Sequence, residues 1–247
     1  MDEIIRGLRR SILTTAFNAR EGHIPSALSI LDILWVLYDK VLKPEDKFVL
    51  SKGHGCLALY AVLAEKGIIS KVDLDNFCTL NGSLGGHPDM NKITGVEAST
   101  GSLGHGLPIA VGMAMARKIN GTEGRVYCLV GDGECNEGSI WESLLIASHH
   151  NLTNLTCIVD YNRSTDRALR LDNITDKFHA FGWAVCQING HDHKLLEHFL
   201  SNPTPREPYV IIAETVKGKG IKRMEDNPEW HHKIPTTEEF NEILQEL

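Results

Sequence analysis

Apolar residues recur along this chain with two periods, and the change between them outlines its elements. Residues 2–20 carry helical apolar spacing. "SALSILDILWVLYDKVL" follows as a helix with a long apolar face, with Ser26 or Ser29 as its cap. "KFVLS" is a short strand, and "GCLALYAVLAEKG" a helix stopped by Gly67. Residues 81–107 are dense in Gly, Ser and His, and so long an irregular stretch usually forms a site. "PIAVGMAMARKI" is a helix of small residues. Then come "RVYCLV" (strand), residues near 137–150 (helix), "LTCIVDY" (strand) and "ITDKFHAFG" (helix). "WAVCQING" (strand), "HKLLEHFLS" (helix) and "PYVIIAETV" (strand) continue the alternation, and "TTEEFNEILQEL" ends the chain as a helix with a threonine cap. Continuous apolar strands separated by helices predict an α/β fold, a parallel sheet flanked by helices on both faces.

Composition narrows the classes. The chain has 247 residues, read as a single domain over 1–247, and 42% hydrophobic content supports a large core. Net charge is -7, without a long basic run, so no nucleic-acid partner is expected. No apolar run is long enough to span a bilayer, and the charged N-terminus does not resemble a signal peptide. The six cysteines are scattered without a CxxC pair, which disfavours a zinc or disulfide framework and suits a reducing, cytoplasmic setting.

The chemistry concentrates in "LVGDGECNEGSIWESLLIASHHNLTNLTCIVDYN". Ligands in a parallel sheet bind beyond the carboxyl ends of the strands. Asp132 follows one strand and Asn162 the next, so the two can converge. Their oxygens suit a hard cation such as Mg²⁺ or Ca²⁺. The glycines beside Asp132 let backbone approach a bulky anion, and the helix beginning near Glu137 points its positive end the same way. There is no GxxxxGK[ST], and the third glycine of a dinucleotide fingerprint is missing. GDG alone is a common turn; GDG with a strand-end Asn in a βαβ setting is the thiamine-diphosphate signature.

The chain resembles the N-terminal, diphosphate-binding half of transketolase over roughly residues 20–235. The resemblance rests on "EGHIPSALSILDILWVLY", "FVLSKGHGCLALYAVLAEKG", "STGSLGHGLPIAVGMAMA", "GDGECNEGSIWES", "NLTCIVDYN", "FGWAV" with "INGHD", and "KGKGI" with "PEWHHK", in the family's order. It implies a thiamine-diphosphate-binding fold. It also implies Mg²⁺ on Asp132, Asn162 and the backbone carbonyl of Ser164, where most transketolases have a bulky aliphatic residue. The Gly133 backbone, Asn162, Lys52, His54, Lys217 and His231 would meet the diphosphate, an anion that needs donors and positive charge. Backbone groups of Gly101 and Leu103 would hold the aminopyrimidine ring. His23, His87 and His231 match histidines that bind sugar oxygens and move protons. Glu137, otherwise ordinary helix capping, matches a residue of a carboxylate network joining two cofactor sites across a subunit interface, with Glu142 at another polar position there. His105 stands where the family often has Gln. His149, His150, His191, His193 and His198 match no motif and read as structural or exposed.

The cofactor carries the hard chemistry; the protein binds and orients it. In the family, a glutamate of a downstream pyrimidine-binding domain activates it, and this chain stops shortly after His231. The resemblance therefore implies the N-terminal subunit of a split transketolase-like enzyme. Its partner would be a separate C-terminal subunit carrying the pyrimidine-binding domain, in an α2β2 assembly. The reaction would transfer a two-carbon ketol unit from a ketose or ketose phosphate to an aldose. The alternatives are a 2-oxo acid dehydrogenase subunit, a 1-deoxyxylulose-5-phosphate synthase-like protein, a non-catalytic cofactor-binding partner, and a metal-dependent hydrolase using Asp132.

Overall fold

Alternate residues of each strand face opposite layers, and both layers are apolar. Phe48, Leu50, Tyr127, Leu129, Ile158 and Ile211 enter one core; Val49, Val126, Cys128, Val130, Val159 and Val210 enter the other. The computed structural model describes residues 2–204 and 206–247. Its strands are β1 (Lys47–Leu50), β2 (Val126–Gly131), β3 (Leu155–Tyr161), β4 (Ala184–Asn189) and β5 (Tyr209–Glu214). All pairings are parallel, in the order β1-β2-β3-β5-β4. Helices cover both faces, as expected. On the first lie α1 (Asp2–Ala19), α2 (Ile24–Val36) and α3 (Cys56–Glu65), with the short α4 (Lys71–Asp75) packed on α3. On the second lie α5 (Gly106–Asn120), α6 (Gly138–His149) and α7 (Ile174–Ala180). α8 (His193–Ser201) and α9 (Thr237–Glu246) return to the first face.

Two local expectations change. Neither Ser26 nor Ser29 caps α2: the helix starts at Ile24 with Pro25 in its first turn, and both serines are buried inside it. Proline's missing N–H costs nothing there, so the helix begins earlier than the serines suggest. α2 runs on through a π-helical turn, Leu37–Val41. α6 starts at Gly138 with Glu137 as its N-cap, as expected, and so not directly behind Asp132. A 3₁₀ turn, Gly133–Asn136, intervenes, so backbone N–H groups of that turn, rather than the first turn of α6, lie beside Asp132. The threonine cap of α9 is present: Thr236 accepts from the Glu239 amide, and Glu239 accepts from Thr236 in return, a reciprocal arrangement stabilising a helix start by about 1 kcal/mol.

Candidate functional site

The strand order sets Ser51 and Lys52 (after β1), Asp132 (after β2), Asn162 (after β3) and Thr215 (after β5) along one carboxyl edge. Asp132 is buried. Its Oδ1 accepts the Gly133 amide at 2.7 Å, and the Ser164 hydroxyl lies 3.5 Å away. Its Oδ2 is buried and has no hydrogen-bond partner among the described residues. Burial, followed by the neighbouring Asp160 carboxylate, raises the Asp132 carboxyl above the usual range, against the pull of the Gly133 amide, Lys52 and Lys217. A buried, unpaired carboxylate oxygen is costly unless a cation completes it. Asn162 Nδ2 donates to Ser29 Oγ and Asp160 Oδ2, both at 3.1 Å. That fixes the amide orientation and leaves Oδ1, which accepts the Ser164 amide at 3.0 Å, as an oxygen donor.

Asp160 anchors this edge from inside β3. Its fully buried carboxylate accepts Lys52 Nζ at 2.5 Å, Ser29 Oγ at 2.7 Å and the Thr215 hydroxyl. Burial alone would raise its pKa; the Lys52 charge and hydrogen bond, with Thr215 and Ser29, outweigh this and lower it. Lys52 also lies 3.5 Å from the Ser26 carbonyl. Its ammonium is thus bound into the wall, whereas Lys217 Nζ sits at the cavity and donates to His231 Nδ1 at 3.2 Å. Asp160 and Ser29 were not legible as site residues, because each sits inside an apolar element.

His23 groups with His54, His231 and His232, at ring-centroid separations of 5.5, 5.8 and 4.4 Å. Burial lowers His54 to about 2, aided by Lys52, His23 and Lys217. Burial and the neighbouring histidines lower His23 to about 4, against the raising pull of Glu21. Burial and Lys217 lower His231 as well. Neutral rings in a positive field can hydrogen-bond an anion or a hydroxyl group. His232, unassigned from sequence, pairs with Glu21 at 3.0 Å.

Another missed residue, Glu134, ties the two glycine-rich loops together. Its buried carboxylate accepts Ser51 Oγ at 2.5 Å and the amides of Gly104 at 2.9 Å and Gly131 at 3.2 Å. Nearby, a Cβ on Gly53 would stand 2.9 Å from the Gly101 nitrogen, so only glycine allows that approach. A Cβ on Gly101 would stand 3.1 Å from the exposed His87 ring, which places His87 against this loop. The Leu103 carbonyl bonds the His105 ring at 3.0 Å, so His105 closes the turn. Glu137 is the N-cap of α6, but its side chain makes no capping bond and is exposed, as is Glu142.

Asn162, Ser164, Thr215, Lys217 and His231 line a cavity of about 480 Å³. The side-chain oxygens of Asp132 and Asn162 are of the kind that fit a hard cation, and lysine, histidines and amides nearby are of the kind that fit a diphosphate. Among the described residues no helix is long and apolar enough to cross a membrane.

The chain matches the family model for the transketolase thiamine diphosphate binding domain over residues 2–246. It is 38% identical over 255 residues to a protein of Phocaeicola vulgatus named as one subunit of an apulose-4-phosphate transketolase, covering 97% of this chain and 90% of that one. To the protein of the same name from Actinobacillus succinogenes it is 39% identical over 263 residues, covering 100% and 95%. The solved transketolase of Campylobacter jejuni superposes with a TM-score of 0.87 at 30% identity, over 98% of this chain and 43% of that one. The chain therefore spans less than half the length of that solved enzyme. It belongs to the transketolase family, as the thiamine-diphosphate-binding part of a transketolase-type transferase.

Proposed function

We propose that the chain is the cofactor-binding N-terminal subunit of a split transketolase, working as one domain over residues 1–247 in the cytoplasm. It holds thiamine diphosphate through a divalent cation, Mg²⁺ or Ca²⁺, and transfers a two-carbon ketol unit from a ketose phosphate to an aldose. The observation that carries the site is the buried Asp132 Oδ2, unpartnered among the described residues, on the same carboxyl edge as the oriented Asn162 amide. Asp132, Asn162 and the Ser164 carbonyl hold the cation. The Gly133 amide region, Lys217, His54 and His231 meet the diphosphate. Lys52 supports it from the wall by fixing Asp160. Gly101 and Leu103 offer backbone to the aminopyrimidine ring. The bound cofactor supplies the carbon–carbon bond chemistry. His23, His87 and His231 hold the sugar's oxygens and move protons there, with the low pKa values of His23 and His231 keeping them neutral and able both to donate and to accept.

A second polypeptide, carrying the pyrimidine-binding domain in an α2β2 assembly, completes the enzyme. Both bacterial relatives are named as one subunit of a transketolase, which supports this. So do exposed apolar residues on the adjoining helices α5 and α6: Ile109, Leu145 and Ile146. Glu137, at the head of α6, is exposed as well. Apulose 4-phosphate, named for those relatives, is the first sugar to examine, with xylulose 5-phosphate as the general donor. The test mixes the chain with its partner, thiamine diphosphate and Mg²⁺, and follows ketol transfer to an aldose. Transfer that requires both proteins and the cofactor supports the reading; cofactor binding without transfer from any ketose phosphate refutes the assigned reaction.

A further inference from the structure

Beyond the cradle, α2 carries a third polar residue. Asp32 lies one turn after Ser29, with its carboxylate side chain only 5% exposed. His191, just past β4, donates from Nδ1 to Asp32 Oδ2 at 2.8 Å. Its Nε2 accepts the backbone amide of Val216 at 2.9 Å. Since Nε2 accepts, the proton resides on Nδ1, and Asp32 fixes that tautomer. His193 and Arg9 hold the same carboxylate at 2.7 and 3.6 Å. Burial would raise the Asp32 carboxyl; the bonds from His191 and His193, with the Arg9 charge, outweigh it and bring it to about 2. Asp32 therefore stays an acceptor for His191.

Val216 precedes Lys217, and the segment is tied residue by residue. The Thr215 amide donates to the Tyr161 carbonyl at 3.2 Å, and the Gly218 amide to the Pro25 carbonyl at 3.0 Å. Between these two backbone ties, Val216 is held by a side chain. We infer that Asp32 and His191 form a positioning pair that aims the Lys217 segment into the diphosphate cradle. Neither touches the cavity that Lys217 lines; they act through the Val216 amide. The inference rests on the proposed reading that Lys217 meets the diphosphate.

The test compares His191→Asn, which keeps a donor for Asp32 but no acceptor for Val216, with His191→Gln, which returns an acceptor near the Nε2 position. All 247 residues are kept throughout. Hydrogen exchange is read at the Val216, Lys217 and Gly218 amides without ligand, and calorimetry measures binding of inorganic diphosphate with Mg²⁺. His191→Asn should speed exchange at these amides, leave Val159 in β3 unchanged, and weaken diphosphate binding roughly three- to tenfold, the scale of one hydrogen bond. His191→Gln should restore both. Unchanged exchange and affinity in His191→Asn, no recovery in His191→Gln, or equally faster exchange at Val159 would each overturn the inference. Lys217→Ala separates the layers. If it weakens diphosphate binding while His191→Asn does not, only the positioning role fails. If Lys217→Ala leaves diphosphate binding unchanged, the cradle reading fails and takes the inference with it.

Discussion

Replacing Lys52 by methionine removes the cation that faces Asp160 and keeps most of the side-chain length. The two side chains are 3% and 0% exposed, and their contact is 2.5 Å. Breaking a buried pair from one side costs about 3–5 kcal/mol, because the other charge stays buried without compensation. Asp160 keeps donors from Ser29, Thr215 and Asn162, which places the cost near the lower end, about 3 kcal/mol. For a chain of this length that corresponds to a fall in Tm of roughly 6–12 °C. The pH dependence follows from the lowered carboxyl of Asp160. In the native chain the unfolded state binds more protons than the folded one below the ordinary Asp range. Its contribution is therefore present above about pH 3.9 and lost as pH falls through the folded value. In Lys52→Met, burial instead favours the protonated acid, so the penalty is full at neutral pH and shrinks on acidification. Denaturant unfolding at pH 7 and pH 5 should show the gap between the two proteins narrowing, and Lys52→Met/Asp160→Asn should be more stable than Lys52→Met alone. A double variant no more stable than the single, or a gap that widens at low pH, would refute the buried-pair reasoning.

The histidine cluster makes an independent prediction. His23 and His54 titrate below their unfolded value of about 6.5, so their contribution to stability is full above that pH and is lost as pH falls toward the folded values. His23→Gln should flatten the stability–pH slope between about pH 6.5 and 5; an unchanged slope tells against the depressed His23. Gly53→Ala drives a Cβ to 2.9 Å from the Thr100 and Gly101 backbone and should cost about 1–3 kcal/mol. Because Gly101 carries one of the proposed aminopyrimidine contacts, binding of thiamine diphosphate should weaken more than that of inorganic diphosphate. Equal weakening of the two would remove that loop from ring recognition.

Strands and long helices were readable because continuous apolar runs in an alternating α/β order have few other solutions; β2, β3 and β5 are buried on both faces. That Asp132 and Asn162 lie past neighbouring strand ends on one carboxyl edge followed from the strand pattern alone. Polar residues inside apolar elements were harder. Ser26 and Ser29 have the chemistry of caps, and only tertiary packing shows that both are buried and that Ser29 bonds Asp160. Asp160 is hidden within "IVDY", and Glu134 within the turn after GDG. His191 and His193 had no local signal, since their partner Asp32 lies far back in the chain. A lone carboxylate in "SILDILWV" was the available hint, because a buried charge implies a partner. Lys52 was readable as a site residue, but its ion pair with Asp160 was not.

The most direct measurement is calorimetric titration of thiamine diphosphate with Mg²⁺ into the wild-type chain and Asp132→Asn, each together with the partner polypeptide. Wild type should bind in a cation-dependent manner. Asp132→Asn should bind roughly 100-fold more weakly, since losing a charged ligand costs at least as much as losing one of the groups that orient the ligands. Equal affinity in both, or wild-type binding indifferent to the cation, would contradict a metal–diphosphate cradle at the carboxyl edge of this sheet.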